Sequence, residues 1–395
     1  NNIEKSEQSA YQFYLAQAYA IRAFSYFYLA QMYQHTYVGH EDMPCVPLVT
    51  EANMDEQNPR ASVKETYDFM LSDLDKAANL LEQTFVERPH KGFISKEVVY
   101  GLRARINMVR NEWTAALEDA NRIINAGVAS PYTRDEVSRP TFININDNAW
   151  LWGIDGEETD PAVTTGIINF PSHMGSFNNG YTPVGVWRKI NKALYNAIPD
   201  TDVRKGWFLN GNGQSQNLTG QHETYVAQYG MQPYTQVKFA PYNYELETAT
   251  NASDIPLMRI EEILLIAAEA QARLGNLEES RNALNTFVTT YRDPAYNCAA
   301  TSQEKILDAI WMQRRIELWG EAGRLFDILR LGMPWTRSWE LEDGTKSNHS
   351  NVLSKYAEYQ AFPADYIECI LMIPQKEIDN NPEIGPEDQN PYIQK

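Results

Sequence analysis

The sequence predicts a mostly α protein in which a helical-repeat scaffold carries a loop-rich, partly β irregular subdomain. Three observations predict it. Apolar residues recur every three or four positions in long segments toward both ends of the chain. Two pairs of these segments are joined by very short turns. The stretch between Pro131 and Pro256 is instead rich in Asn, Gly, Tyr, Thr and Pro.

In chain order, a first helix is expected over 11–33, where Leu15, Ala18, Tyr19, Ala23, Phe27 and Ala30 fall at helical spacing ahead of Pro44 and Pro47. Ser62-Val63-Lys64-Glu65 announces a second helix, running to about residue 82. Its serine oxygen and the glutamate three residues on can satisfy exposed backbone donors reciprocally. Helices over 95–110 and 113–126 follow, separated only by Asn111-Glu112 and closed by Gly127. The pattern returns over 258–274 and 277–291 around Gly275-Asn276, and Gly275 suits the left-handed backbone past a helix end. A last helix is expected over 302–320.

Arg110-Asn111-Glu112-Trp113-Thr114-Ala115-Ala116-Leu117 and Leu274-Gly275-Asn276-Leu277-Glu278-Glu279-Ser280-Arg281 show the same device twice. Each is a turn followed by a helix with small or apolar residues on its inner face. This is tetratricopeptide-like repetition, degenerate and interrupted, in which a helix pair covers its inner face only by stacking on neighbours. The two helix groups are therefore expected to form one superhelix. Between them, strand-like runs are expected at 141–145, 149–154 and 236–239, with one short helix over 187–196. The expected division is an N-terminal helical-repeat part (1–130), a loop-rich ligand-binding subdomain (131–256), a C-terminal helical-repeat part packing on the first (257–335) and an irregular C-terminal segment (336–395).

With 395 residues, 43% hydrophobic and 22% charged, the chain is of ordinary globular composition. A formal net charge of −18 excludes nucleic acid as the expected partner, since phosphate binding draws on clustered Lys and Arg. Cys45, Cys298 and Cys369 lie far apart without a C-x-x-C pair, so buried free thiols are expected rather than disulfides or a zinc site. No apolar run reaches the ~18 residues that would span a bilayer. No basic-then-apolar signal opens the chain either, and the helical pattern begins almost at once, as expected of a chain that starts inside a longer precursor.

Catalytic chemistry finds little support. The six histidines, His35, His40, His90, His173, His222 and His349, form no H-E-x-x-H or other metal-ligand spacing. No G-x-S-x-G elbow or phosphate-binding loop occurs. Acid pairs such as Glu157-Glu158 are expected by chance among 52 acidic residues. No catalytic residue, metal or cofactor is expected.

Four segments resemble the SusD/RagB family. They are the helix Ala16-Gln17-Ala18-Tyr19-Ala20-Ile21-Arg22-Ala23-Phe24-Ser25-Tyr26-Phe27-Tyr28-Leu29, followed by Pro47-Leu48-Val49-Thr50-Glu51; the arginine-led Pro256-Leu257-Met258-Arg259-Ile260-Glu261-Glu262 with its Ala268-Glu269-Ala270 ending; Arg314-Arg315-Ile316-Glu317-Leu318-Trp319-Gly320-Glu321-Ala322-Gly323-Arg324-Leu325-Phe326-Asp327; and Ile373-Pro374-Gln375-Lys376 with Gln389-Asn390-Pro391-Tyr392. The resemblance implies a cell-surface lipoprotein of the outer membrane. It implies capture of an oligosaccharide, or alternatively a peptide, and delivery to a SusC-like TonB-dependent transporter on which the protein acts as a lid. Membrane attachment would run only through a lipid anchor that this chain lacks. A protein–protein scaffold without a small-molecule site, or a glycosidase, are the rival readings.

Nine Trp and 23 Tyr supply candidate stacking faces for sugar rings, with Asn, Gln and Arg for hydroxyls. A strand over 149–154 would put Trp150 and Trp152 on one face, opposite Leu151. The polar, glycine-interrupted loop 172–183 offers His173, Asn178, Asn179 and Tyr181, and Trp187 and Arg188 follow it. By resemblance, Tyr181-Thr182-Pro183 sits where relatives carry an aromatic before a Thr-Pro helix start. Tyr37, beside His40, is a further candidate. Trp113, Trp311 and Trp319 read as core. Arg259, Arg314, Arg315, Glu317, Glu321, Arg324 and Asp327 read as structural ion pairs at helix spacing.

Overall fold

The computed structural model describes residues 2–166, 169–178, 185–321, 323–335, 362–366 and 369–391. Helix α1 (Asn2–Tyr33) buries Phe13, Ala16, Ala20, Ala23, Phe27 and Ala30, a stripe at three- and four-residue spacing dominated by alanine. Small side chains let the next helix approach closely. That helix, α2 (Val63–Gln83), packs Val63, Tyr67, Met70, Leu74 and Ala77 into the same core. It begins at the expected capping box: the Glu65 amide donates to Ser62 Oγ at 3.1 Å, and the Ser62 amide donates to Glu65 Oε2 at 2.8 Å. A short antiparallel ribbon, β1 (Pro44–Pro47) and β2 (Arg60–Ser62), lies before it.

Two hairpins carry the repeat. The first joins α3 (Lys96–Val109) to α4 (Trp113–Ala126), the second α9 (Ile260–Arg273) to α10 (Leu277–Tyr291). Their turns match bond for bond. Asn111 and Gly275 both adopt positive φ, at 61° and 86°. The residue after each donates back to a carbonyl five positions earlier, Glu112 to Asn107 at 2.9 Å and Asn276 to Gln271 at 3.0 Å. Asparagine tolerates this conformation because its short polar side chain can bond locally.

The two groups touch directly. α4 lies along α9, and α9 also packs on α3, α10 and α11 (Gln303–Glu317). With neighbours on so many sides, α9 buries eleven of its residues, Glu261, Glu262 and Glu269 among them.

The connection between the hairpins is mostly irregular. It contains strand β3 (Trp150–Ile154) and the short helices α5 (Pro161–Thr164), α6 (Phe170–Met174), α7 (Lys192–Ala197) and α8 (Gln221–Gln228). Strand β4 (Ile255–Arg259) pairs antiparallel with β3 and leads straight into α9, so the helix starts two residues later than the apolar run suggests. The runs 141–145 and 236–239 are not strands: they meet through one isolated bridge, Thr141 to Phe239, and the second run makes another to Phe208 through Gln236. Helix α12 (Arg324–Arg330) and a final short helix α13 (Gln375–Asn380) complete the described elements.

The capping box offers a direct test of the α2 boundary. Ser62→Ala should destabilise the protein by about 1 kcal/mol, read by urea unfolding. An unchanged midpoint would show that the box does not hold the helix start.

Candidate functional site

The polar interior is built around α9 and α11. A buried carboxylate is costly unless paired, and each buried acid on these helices has a cation. Glu269 receives both Nη groups of Arg330, at 2.7 and 2.8 Å. Glu262 receives Arg105 Nε at 3.0 Å and Arg314 Nη2 at 3.2 Å. Glu317 is the centre: Arg292 donates to both its oxygens at 2.8 Å, Arg259 Nη1 and Nη2 at 3.2 Å, and Arg204 Nη1 at 3.3 Å. Burial alone would raise the Glu317 carboxyl, but the Arg292, Arg259 and Arg204 guanidiniums outweigh it and hold it well below the usual range. Glu261 Oε2 lies 2.8 Å from Arg259 Nη1 without hydrogen-bond alignment, while Oε1 accepts from Arg292 at 3.0 Å.

The irregular region joins this network through Arg204 and Lys238. Lys238 Nζ donates to the carbonyls of Glu317 and Trp319 at 3.0 Å and to Glu321, with Phe142 and Trp207 each 4.6 Å from it. Burial lowers its pKa to about 8 despite Glu321. Each of these acids is engaged by at least one cation.

Beside the network lies a cleft of about 420 Å³. Gly320, at φ 80°, turns the chain after α11, and a Cβ there would fall 2.9 Å from both Met174 Cε and Phe239 Cε2. This turn sets Trp319 into the cleft wall, half-buried and edge-on to Phe208 at 5.1 Å. Asn191 faces it from the start of α7; its Oδ1 caps that helix by accepting from Ala193 at 2.9 Å. Arg314, Arg315, Arg324, Glu321 and Asp327 complete the polar lining.

A second groove of about 540 Å³ runs between α1, β1 and the C-terminal segment. Its walls are largely apolar, Leu29, Val46, Pro47, Ile373 and Pro374 among them. Arg60 within it spends its guanidinium on the carbonyls of Cys45, Pro44 and Asp388 at 2.8, 2.7 and 2.9 Å. The second groove also holds Tyr26, Tyr33 and Lys376, but the first sets a half-buried indole beside two guanidinium groups without a partner among the described residues, which makes it the candidate ligand site.

The candidates named from sequence scatter. Trp150 and Trp152 belong to the core, a correction of the ligand-facing expectation. Trp150 donates to Tyr132 Oη at 2.7 Å, and Trp152 donates to the Gly92 carbonyl at 3.1 Å and packs edge-on to Phe24 at 4.8 Å. Both faces of β3 are covered, so Leu151 is buried as well. Tyr37 is also buried, against Tyr67 at 5.0 Å and under the Arg110 guanidinium at 5.2 Å. Asn178 is buried rather than presented, and its amide has no hydrogen-bond partner among the described residues.

His173 and Arg188 do come together: Arg188 Nε donates to the His173 carbonyl at 3.1 Å, and its Nη2 lies 3.3 Å from the ring Nδ1. Trp187 is half-buried against the small cluster around Phe177 and Tyr225. Tyr181 and Asn179 lie outside the described residues. Trp319, read from sequence as core, does pack on the main core and on Phe208, with its remaining surface in the cleft wall; Arg324, read as an ion pair, makes none among the described residues and lines the same cleft.

A profile described as the SusD family matches residues 176–392, more than half of the chain. The chain belongs to the SusD family. A second profile, described as "Starch-binding associating with outer membrane", matches residues 1–108. Among curated proteins, SusD-like protein P38 of Formosa agariphila is 25% identical over 347 residues, covering 80% of this chain and 66% of that protein. SusD-like protein P2 of the same organism is 24% identical over 355 residues, covering 80% and 64%. The chain thus spans slightly less than two thirds of the length of these relatives.

Among solved structures, a SusD superfamily protein from Bacteroides thetaiotaomicron superposes with a TM-score of 0.74 at 23% identity, over 98% of this chain and 80% of that one. A SusD-like carbohydrate binding protein from Bacteroides vulgatus superposes with a TM-score of 0.71 at 23% identity, over 95% and 77%. These likenesses establish the SusD fold. Among the described residues no helix is long and apolar enough to cross a membrane.

Asp327 tests the ion-pair assignment. Burial would raise its carboxyl, but Arg314 and Arg330 hold it at about 2. A depressed folded-state pKa contributes stability that is present above the unfolded value near 4 and lost as pH falls toward 2. Asp327→Asn should therefore be less stable than the parent at pH 7, and the gap should narrow by about 1 kcal/mol between pH 4 and 3 in urea titrations. A gap independent of pH would mean that the carboxylate charge is not what Arg314 and Arg330 hold.

Proposed function

We propose that this chain captures an oligosaccharide at the cell surface and passes it to a SusC-like TonB-dependent transporter of the outer membrane, over which it acts as a lid. The observation that carries the reading is the cleft beside α11, a space of about 420 Å³ whose lining includes both Trp319 and Asn191. An aromatic wall stacks on the C–H face of a sugar, and amide and guanidinium donors direct its hydroxyls; neither requires catalytic machinery. Membership of the SusD family supports it, as does the likeness to a relative described as carbohydrate binding. The surface presence, the lipid anchor and the transporter partner rest on that family membership.

The connection that delivers Asn191 to the cleft also carries Trp187 and Arg188 four and three residues earlier. We assign this segment, with His173 beside Arg188, to the approach along which a longer glycan extends.

Screening the purified protein against glycan and peptide arrays, with product analysis of every hit, separates the readings. Glycan binding without turnover is expected. Peptide binding alone, no binding, or cleavage would each replace the proposal with a different function. For a glycan identified in this way, Trp319→Ala should weaken binding by about 1 to 2 kcal/mol, roughly 5- to 30-fold by calorimetry on protein that thermal melts show to be folded, at a lowered melting temperature because the ring also packs on Phe208. Equal binding by a folded variant would move the site away from this cleft.

A further inference from the structure

Every buried acid near the cleft is already taken. Glu321 accepts from Arg259 Nε at 2.6 Å and Nη2 at 2.9 Å, and also from Lys238. Asp327 accepts from Arg314 Nε at 3.0 and 3.1 Å and from Arg330 Nε at 2.9 Å. The cations are not balanced in the same way. Arg315 and Arg324 are half-buried and, among the described residues, make no hydrogen bond or ion pair. Arg314 is 7% exposed, and its Nη1 is buried without a partner although the other two nitrogens are committed. Asn191 adds an amide nitrogen, since only its Oδ1 is used in capping α7.

The cleft wall is therefore a surface of hydrogen-bond donors carrying surplus positive charge, inside a protein of net charge −18. Leaving guanidinium groups half-buried and unpaired is unfavourable, because burial removes water without supplying an acceptor. Burial and the neighbouring guanidiniums lower the pKa of both Arg315 and Arg324, Asp327 only partly opposing this for Arg324. General attraction of anions does not explain the arrangement, since the overall field of the protein repels them.

We infer that the cleft is built for an oxyanion, and that the captured saccharide is acidic, bearing a carboxylate or a sulfate ester that Arg315, Arg324 and Arg314 Nη1 bind together. The saccharide part of this inference rests on the glycan reading above; the oxyanion part does not. Planar guanidinium forks match both carboxylate and sulfate oxygens, with donors spread over two or three nitrogens. Trp319 in the same wall then packs on the ring that bears the anion. A neutral sugar would meet the same donors without meeting their charge.

Calorimetry on the parent and on the double variant R315Q/R324Q tests this, using inorganic sulfate, glucuronate, glucose 6-sulfate and glucose as probes. Arg314 is left intact because it also holds Glu262 and Asp327. Glucuronate or glucose 6-sulfate should bind the parent at least 10-fold more tightly than glucose does. The double variant should lose at least 10-fold for that anionic sugar while melting no lower than the parent, and Arg324→Lys, which keeps the charge without the fork, should fall between. Raising NaCl from 50 to 500 mM should weaken the anionic probes alone.

Sulfate binding that depends on these arginines, with no sugar bound, would keep the oxyanion site and overturn the acidic saccharide. Glucose binding as tightly as its acidic counterparts in both proteins would leave glycan capture standing and overturn the oxyanion assignment. So would failure of every anionic probe to distinguish parent from double variant.

Discussion

The carboxylate of Glu317 is wholly buried and accepts hydrogen bonds from three guanidinium groups that arrive from separate parts of the chain. Arg292 follows α10, Arg259 ends β4, and Arg204 belongs to the irregular connection. Taking such ions out of water costs several kcal/mol each, a loss recovered only if all remain in register. Three positive groups around one acid would repel each other, and Glu261, Glu321 and Asp202 relieve that by taking second bonds from the same arginines. The positions of α9, α10, α11 and the connection are thus constrained by one cluster in which no member can move alone.

That constraint explains how more than a hundred residues with few regular elements keep a defined course. Their backbone groups are satisfied by short bridges and turns rather than by long ladders. Packing supplies the rest: Trp207 is buried beside Phe142, its indole bonded to the Val137 carbonyl at 2.9 Å. Lys238 then ties this aromatic layer to the turn after α11 through two carbonyls and Glu321. A cleft wall formed by that same turn inherits the rigidity of the cluster behind it, which limits the entropy a bound ligand must offset.

The helical frame was legible because its signals are local. Alanine and apolar spacing set α1, the Ser62 box set α2, and the paired turns at Asn111 and Gly275 set both hairpins to within one or two residues. Strand β4 was not legible, since its partner lies a hundred residues away and Pro256 within it argues against a strand. Trp150 and Trp152 misled for a related reason. Alternation predicts a solvated face only where one side of a ribbon is open, and here all of 150–153 is buried, with Tyr132 against Trp150 and Phe24 against Trp152.

The arginines show where sequence reasoning reaches its limit. Arg314 and Arg315 are adjacent, and spacing alone allots both to ion pairs, yet consecutive residues on a helix point about 100° apart. That rotation carries Arg314 inward to Glu262 and Asp327 and leaves Arg315 beside the cleft. Arg324 stands three residues before Asp327, a spacing suited to pairing, but Arg314 and Arg330 already hold that acid. Whether a charge serves the fold or faces a ligand thus depends on which partners are already engaged, and that accounting exists only in three dimensions. The same motif supplies both kinds of residue, so a rigid floor of saturated pairs and a rim of unsaturated donors are two consequences of one stretch of chain.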